Sequence, residues 1–328
     1  MEDLRAERYN EANKPAWDDF VSRLEAHSIL FYRDFMEYHS DRFVDYSLMI
    51  FQEKKLIAIF PANIDTNNNI HPHQGLSYGG IQFNSKTLFE TRLKVYREVL
   101  LFLFKNTIST VHLKSIPRCY SADSSNDLIF QWLKGVCFRT DIYSYIPKAH
   151  YKNPNRNRTR HVKNALAANI KIRKTDAYSE FWNKILIPNL KQRFGAYPVH
   201  TIEEIERLAA QLQNQICFYG AYQKNILRAG VVLFIHRDVV HAQYSAGDNN
   251  RDDGSLDLLL DFVIKKYNPE KVFSFGTSSE EFGSRLNKGL LYWKESFRSC
   301  NDTQPFYLSL INISEPTRPT PISFYLLS

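Results

Sequence analysis

The sequence predicts an α/β chain of two tandem domains built to one plan, each a mixed, mainly antiparallel sheet flanked by helices. Three observations carry this reading. The stretch Ser47–Ile64, SLMIFQ-EKK-LIAIFPANI, is a pair of apolar strands around a charged turn, followed by a glycine-ended strand Leu76–Gly80, a helical stretch Leu88–Lys105 and an apolar strand Thr110–Ile116. The same order returns later. Ile216–His236, ICFYGAY-QKN-ILRAGVVLFIH, is again a hairpin, and Val239–Gly247, a helical stretch Ser255–Tyr267 and the strand Lys271–Gly276 follow it. Finally, 328 residues give each copy room for a core of its own.

The elements follow in order. Tyr9–His27 places Trp17, Phe20, Val21 and Leu24 at helical spacing, and Ile29–Tyr38 reads as a second short helix. Gly135–Ile146 is an aromatic-rich strand that closes the first copy. His150–Arg160, HYKNPNRNRTR, is polar and rich in Asn and Pro, so the boundary is placed there, giving domains 1–150 and 151–307. Arg158–Asn169 reads as a basic amphipathic helix, Ile170–Lys174 as a strand, and Tyr178–Arg193 and Thr201–Gln213 as helices. Thr201 with Glu204 has the spacing of a capping box. Phe218, Gly220 and Tyr222 alternate with Cys217, Tyr219 and Ala221, so this strand is apolar on both faces and central. Lys224-Asn225 suits a two-residue hairpin turn. Leu256, Leu259, Leu260, Val263 and Ile264 form the apolar stripe of a helix packed on a sheet.

Composition narrows the class. Apolar residues at 44% and aromatics at 14% suit a packed protein and exclude a disordered one. The charged start has no apolar signal core, and no apolar run approaches the roughly 20 residues that cross a bilayer. Cys119, Cys137, Cys217 and Cys300 are scattered, so reduced thiols and a cytoplasmic location are expected, with no zinc or disulfide role. His71 and His73, at i, i+2 with no acidic or thiol partner nearby, make a poor metal site, and no metal is expected. The net charge of +7 favours anionic partners such as phosphates without requiring nucleic acid, and no DNA contact is expected.

From Leu308 the sequence reads LSLINISEPTRPTPISFYLLS, without helical or strand period. Leu308–Arg318 departs from LSLIHISEPTR, a translated sequencing adapter, only at Asn312, and Ile322-Ser323-Phe324 resumes the match after three index-like residues. Residues 308–328 are therefore expected to be a non-native tail.

Four pieces now carry a resemblance: the opening RTRHVKNALAANIKI, the hairpin with RAGVVLF, VHAQYSAGDNNRDDGSLDLLLDFVI, and FSFGTSSEEFGSRLNKGLLYWKESF. In this order Arg158–Phe297 resembles the acyltransferase domain shared by Fem-type peptidyltransferases and the acetyltransferases of bacterial surface-polysaccharide clusters. Hairpin, glycine-ended strand, helix and strand is the core order of the GNAT acyltransferase fold, and its repetition resembles the double-GNAT transferases. The resemblance implies transfer of an acyl or aminoacyl group to an amine in cell-envelope precursor synthesis. It places an activated donor where two central strands splay apart, beside Val240–Gly247. Ala246 and Gly247 are then the donor-binding strand end, with Gln243 and Tyr244 on the substrate side. Arg251 and Gly254 are what remains of the pyrophosphate loop, beside the unfavourable charges of Asp252 and Asp253. An acyl-CoA, acetyl-CoA first, is the implied co-substrate.

Arg156, Arg158, Arg160, His161 and Lys163 cluster where a loop enters a helix, and of these Arg156, Arg158, Arg160 and Lys163 are expected to hold an acceptor's phosphates in a cleft between the domains. A solvated basic face is the bland alternative. Gly79 would let substrate approach the first-domain backbone and Tyr78 would bond it, against a plain tight turn. Lys294, read as part of a final apolar strand LLYWKESF, is by resemblance the catalytic cation that steadies the developing oxyanion. Cys217 reads as core, and no Ser-His-Asp or Cys-His set is visible, so direct attack by the amine is expected. The favoured function is an N-acyltransferase acting on a nucleotide-linked amino sugar or similar phosphorylated precursor. A Fem-type transfer from charged tRNA to a peptidoglycan precursor is the alternative; Tyr178–Gln213 is short for the helical arm such enzymes often carry. A degenerate binding module is a third reading.

Overall fold

The computed structural model describes residues 4–24, 28–248 and 254–311. They form two compact units: the residues up to Asp141 with those from Thr303 on, and Ile142–Asp302. The expected boundary near residue 150 thus differs from the structure, which changes unit inside the strand expected to close the first half. The chain then re-enters the first unit at Thr303.

In unit 1, β1 (Leu4–Arg8), α1 (Lys14–Ser22) and α2 (Arg33–Met36) precede β2 (Val44–Asp45) and the hairpin β3 (Leu48–Gln52) and β4 (Lys55–Phe60). Then come β5 (Asn63–Ile64), β6 (Asn69–His71), β7 (Gln82–Phe83), α3 (Phe89–Lys105), β8 (Thr110–Lys114), α4 (Ser125–Trp132) and the start of β9 (Val136–Ile146). The order β1-β3-β4-β7 makes one sheet, and β8 pairs antiparallel with Phe306–Leu310 and parallel with β6. α1 buries Trp17, Phe20 and Val21, the spacing that predicted it. Leu48, Ile50, Phe60, Val95, Val99, Leu103, Val111 and Leu113 share the core. Leu76–Gly80, expected as a strand, is a turn instead, for the packing reasons given below.

In unit 2, α5 (Arg156–Ala167), β10 (Lys171–Lys174), α6 (Tyr178–Phe181), α7 (Ile187–Phe194) and α8 (Ile202–Gln211) lead to β11 (Ile216–Gln223), β12 (Ile226–Ile235) and β13 (Val239–Gly247). They are followed by α9 (Ser255–Tyr267), β14 (Val272–Thr277), the short pair β15 (Ser279–Glu280) and β16 (Arg285–Leu286), α10 (Lys288–Glu295) and β17 (Cys300–Leu310), whose later part belongs to unit 1. The sheet runs β10-β11-β12-β13-β14-β9. β11 is buried along nearly its whole length, as its two apolar faces required. Lys224 and Asn225 both have positive φ, +48° and +67°, so the β11–β12 turn has the twist that favours a two-residue hairpin. Thr201 and Glu204 close the capping box at α8 from both sides. α9 lays Leu259, Leu260, Val263 and Ile264 against Val231, Leu233, Val240 and Phe273.

Two expectations change here. Lys294 lies in helix α10, not in a strand: Asn287 caps the helix start by accepting from the Leu290 amide, so the apolar residues of LLYWKESF are spaced for a helix face. Leu308–Leu310, expected outside the fold, form the end of β17, paired with His112, Val111 and Thr110. Residues 312–328 of the expected tail lie outside the described residues. Among the described residues no helix is long and apolar enough to cross a membrane.

Candidate active site

The site is created by a strand pair that stops short. β13 and β14 run parallel and pair only at Val239↔Val272, Val240↔Phe273 and His241↔Ser274. Past His241, β13 continues to Gly247 with no β14 partner on that edge, while its other edge stays paired to β12. Two irregularities bend the strands apart. The β12–β13 register shifts between Val232 and Leu233, where Gln243 is the extra residue, and the β14–β9 register shifts between Ser274 and Gly276, where Phe275 is extra. Gly276 takes φ +72°, a conformation glycine adopts without strain.

Beyond the opening is a cavity of about 670 Å³. Its floor is Ser245, Ala246 and Gly247 of β13 with Gly254, Ser255 and Leu256 at the start of α9, and its walls come from α7 and α10. Leu186, Leu190, Phe194, Leu290 and Trp293 make those walls largely apolar. A π-helical turn at Trp182–Leu186 precedes α7, and Asn189 ties the helix down by donating to the Gly247 carbonyl at 2.8 Å. Three arginines, Arg158, Arg193 and Arg228, and two aspartates, Asp248 and Asp257, line the same space.

The expected site residues divide. Ala246, Gly247, Gly254 and Arg158 do line the cavity. Gly254 has φ +72°, and a side-chain carbon there would sit 2.2 Å from the His161 carbonyl oxygen. This glycine therefore allows α9 to start hard against α5. Arg158 is not free for a phosphate: its guanidinium donates to both Asp257 oxygens at 3.2 and 2.9 Å and to the Ser296 hydroxyl at 3.0 Å. His161 Nδ1 stands 3.0 Å from the same carboxylate. Arg156, Arg160 and Lys163 are on the exposed side of α5 and line no part of the cavity. Arg251 lies outside the described residues.

Gln243 is the bulged residue of β13, half-buried, and Tyr244 points into the core. The Tyr244 hydroxyl meets His200 Nδ1 at 2.7 Å and accepts from the His200 amide; burial raises its pKa to about 12. In unit 1, Tyr78 is wholly enclosed, with its hydroxyl 2.9 Å from that of Ser28 and its ring edge-on to Phe31. Gly79 is buried because a side chain would strike the Pro72 carbonyl at 2.3 Å. These two positions follow the bland reading, a packed turn.

Lys294 is 2% exposed, and its ammonium donates to the Gly276 carbonyl at 2.9 Å and the Thr277 carbonyl at 2.5 Å. Burial pushes its pKa down to about 7. It is not a cavity-lining residue. Beside it His241, whose pKa burial and then the Lys294 charge push down to about 4, contacts Ser274 Oγ through Nδ1 at 3.0 Å. Ser274 in turn donates to the Tyr143 hydroxyl at 2.8 Å. From the sequence His241, like His200 and His236, reads as a structural or surface residue, and Tyr143, Asn189 and Ser274 are passed over, because these residues come from separated segments with no local motif. His71 and His73 are likewise placed in packed rings: His71 bonds Asp65 at 2.9 Å and stacks on His112, and His73 stacks on His39. Among the described residues no cluster of three or more metal-ligating side chains occurs.

No protein-family model matches the sequence, and no curated protein matches it either. Solved structures do match. FemX is 11% identical with a TM-score of 0.64, over 93% of this chain and 97% of that one. The C-terminal domain of a putative lysylphosphatidylglycerol synthetase from Agrobacterium fabrum is 10% identical with a TM-score of 0.61, over 93% of each chain. L-PGS from Bacillus licheniformis is 8% identical with a TM-score of 0.59, over 94% and 93%. At these identities the likeness is one of fold: the chain shares the two-domain α/β fold of FemX.

Proposed function

We propose that this chain is an N-acyltransferase, with the chemistry in unit 2. The observation that carries the reading is the early parting of β13 and β14 above the cavity. An unpaired strand edge can hydrogen-bond an extended amide-bearing donor as a missing strand would. The pantetheine arm of an acyl-CoA is such a donor. It would lie along Ala242–Gly247, with its pyrophosphate toward the start of α9, where the helix dipole and Arg193 favour negative charge. Arg158 and Arg228 line the same space, paired with Asp257 and Asp248.

The reaction is attack of an acceptor amine on the donor carbonyl, without a covalent enzyme intermediate. The acceptor class is an amino group on a nucleotide-linked sugar or similar phosphorylated envelope precursor. Lys294 acts as a positioning residue. By capping the Gly276 and Thr277 carbonyls it holds the end of β14 in its bulged, parted course. Transfer of an aminoacyl group is the second reading; the name of one fold neighbour, a putative lysylphosphatidylglycerol synthetase, favours it.

The test is acylation of a panel of amino sugar nucleotides and amines by the full chain with acetyl-CoA, longer acyl-CoAs and aminoacyl-tRNA, with donor binding followed by calorimetry. Acyl-CoA binding in the micromolar range and amide product are expected. Product only from aminoacyl-tRNA, abolished by RNase, transfers the assignment to the second reading. Neither binding nor product with any donor rejects both.

A further inference from the structure

We propose that His241 is the catalytic base of the transfer, taking the amine proton at the moment of attack and handing it to the departing donor atom. The inference rests on the acyl-transfer reading and assigns within it a role that Lys294 does not fill.

Position comes first. His241 is the last β13 residue paired to β14, so its half-buried ring stands at the apex where the strands part. The cavity is lined by β13 from Ser245 on and not by His241 itself, so the acyl end of the donor would have to reach past Ser245 along the open edge to meet the ring. Next, the ring is held in one state. Ser274 gives its hydroxyl hydrogen to Tyr143, so Ser274 Oγ is left to accept, and Nδ1 must be the protonated nitrogen of His241. Nε2 is then the bare, basic one. Space around it is also kept. Gly276 faces the ring, and a side-chain carbon there would stand 3.0 Å from Cε1 and 3.7 Å from Nε2. Finally, the surroundings keep the ring neutral. Burial and the nearby Lys294 on α10 both disfavour imidazolium, so the base form is present at physiological pH.

The proton inventory is simple. The neutral amine forms the C–N bond at the thioester carbonyl, giving an adduct with positive nitrogen and negative oxygen. Nε2 accepts a proton from that nitrogen. The carbonyl re-forms as the C–S bond breaks, and the imidazolium returns the proton to sulfur, leaving amide, free thiol and neutral His241. The adduct's ammonium is more acidic than the free amine's and the leaving thiolate is the stronger base, so the proton passes from nitrogen by way of His241 to sulfur.

The experiment compares wild type with His241→Asn, whose amide can still donate to Ser274, and with His241→Ala in the presence of added imidazole. The expected result is a kcat lower by about 10²-fold in His241→Asn with donor Kd and melting temperature unchanged, and partial recovery of His241→Ala by imidazole. A nitrogen-15 imidazole spectrum of the wild type should show the neutral Nδ1–H form. Wild-type kcat in His241→Asn, or a kcat loss that imidazole leaves untouched, overturns the base while acyl transfer stands. An inactive wild type with every donor overturns the functional reading itself.

Discussion

The two units contain the same short parallel strand pair and use it differently. In unit 2 the pair β13–β14 parts after His241 and the space stays open. In unit 1 the pair β6–β8 meets only at Asn69↔Thr110 and Ile70↔Val111 before it too diverges. There the chain has turned back into the gap. Pro72 ends β6, and the turn through Tyr78 and Gly79 is latched to β8, with the Gly79 amide donating to the Lys114 carbonyl and Lys114 Nζ donating to the Leu76 carbonyl. A strand of nine residues leaves an edge exposed; one of three, followed by proline, supplies its own plug. One plan thus yields a cavity in one copy and a packed turn in the other.

The contrast extends to charge, and acid should break it. His39, His73 and His112 of unit 1 are held neutral, first by burial, with pKa values near 4, 3 and 4. In the unfolded chain each takes a proton near pH 6.5. The unfolded state therefore binds more protons between pH 6.5 and about 4, and stability present above that window is lost as pH falls through it. His39 and His73, both almost fully enclosed, each contribute a slope of about 1.4 kcal/mol per pH unit. In unit 2, His241 is lowered in the same way. Hydrogen exchange followed by mass spectrometry from pH 7 to 4.5 should show unit 1 losing protection first. Simultaneous loss would show that the buried imidazoles of unit 1 are not its weak point.

Arg158→Ala should act on the other unit. It strips both guanidinium contacts from a 5% exposed Asp257 at the first turn of α9, a change that costs roughly 3–5 kcal/mol when a buried ion pair loses one partner. Thermal unfolding should register it, and the exchange loss should centre on α5 and α9. A melting temperature unchanged within error would mean that His161 alone suffices.

The smallest effects come from two glycines, one in the packed turn of unit 1 and one at the end of β13. Gly79→Ala drives a methyl to 2.3 Å from the Pro72 carbonyl and should cost about 1–3 kcal/mol. Gly247→Ala meets nothing closer than 3.5 Å and should stay within about 0.5 kcal/mol while weakening donor binding. Equal costs in denaturant titrations would erase the distinction between plug and opening.

Much of the architecture was legible because it is local. Alternation placed β11 and β12, the stripe of Leu259, Leu260, Val263 and Ile264 placed α9, and Thr201 with Glu204 placed α8. The departures share one cause, that partners distant in sequence decide. Leu76–Gly80 has strand-like composition but is bent by Pro72 and Lys114. LLYWKESF is apolar enough for a strand, yet Asn287 starts a helix. Of the expected site residues, Ala246, Gly247 and Gly254 were placed by motif order and line the cavity. The pairing of Arg158 with Asp257 and the His241–Ser274–Tyr143 chain were not, since residues 99, 33 and 131 positions apart meet only on folding.

The return of the chain to unit 1 has a consequence for synthesis. β8 is completed at Lys114, but its antiparallel partner, Phe306–Leu310, is made only after all of unit 2. Gln304 then donates to the carbonyls of Ser77 and Ser115. On the ribosome, unit 2 can close its sheet core from one continuous run of residues, while unit 1 holds an unpaired edge on β8 for some two hundred positions of translation. The unit that begins first is therefore the one that finishes last, and its open edge is where a nascent chain of this protein is most exposed to mispairing.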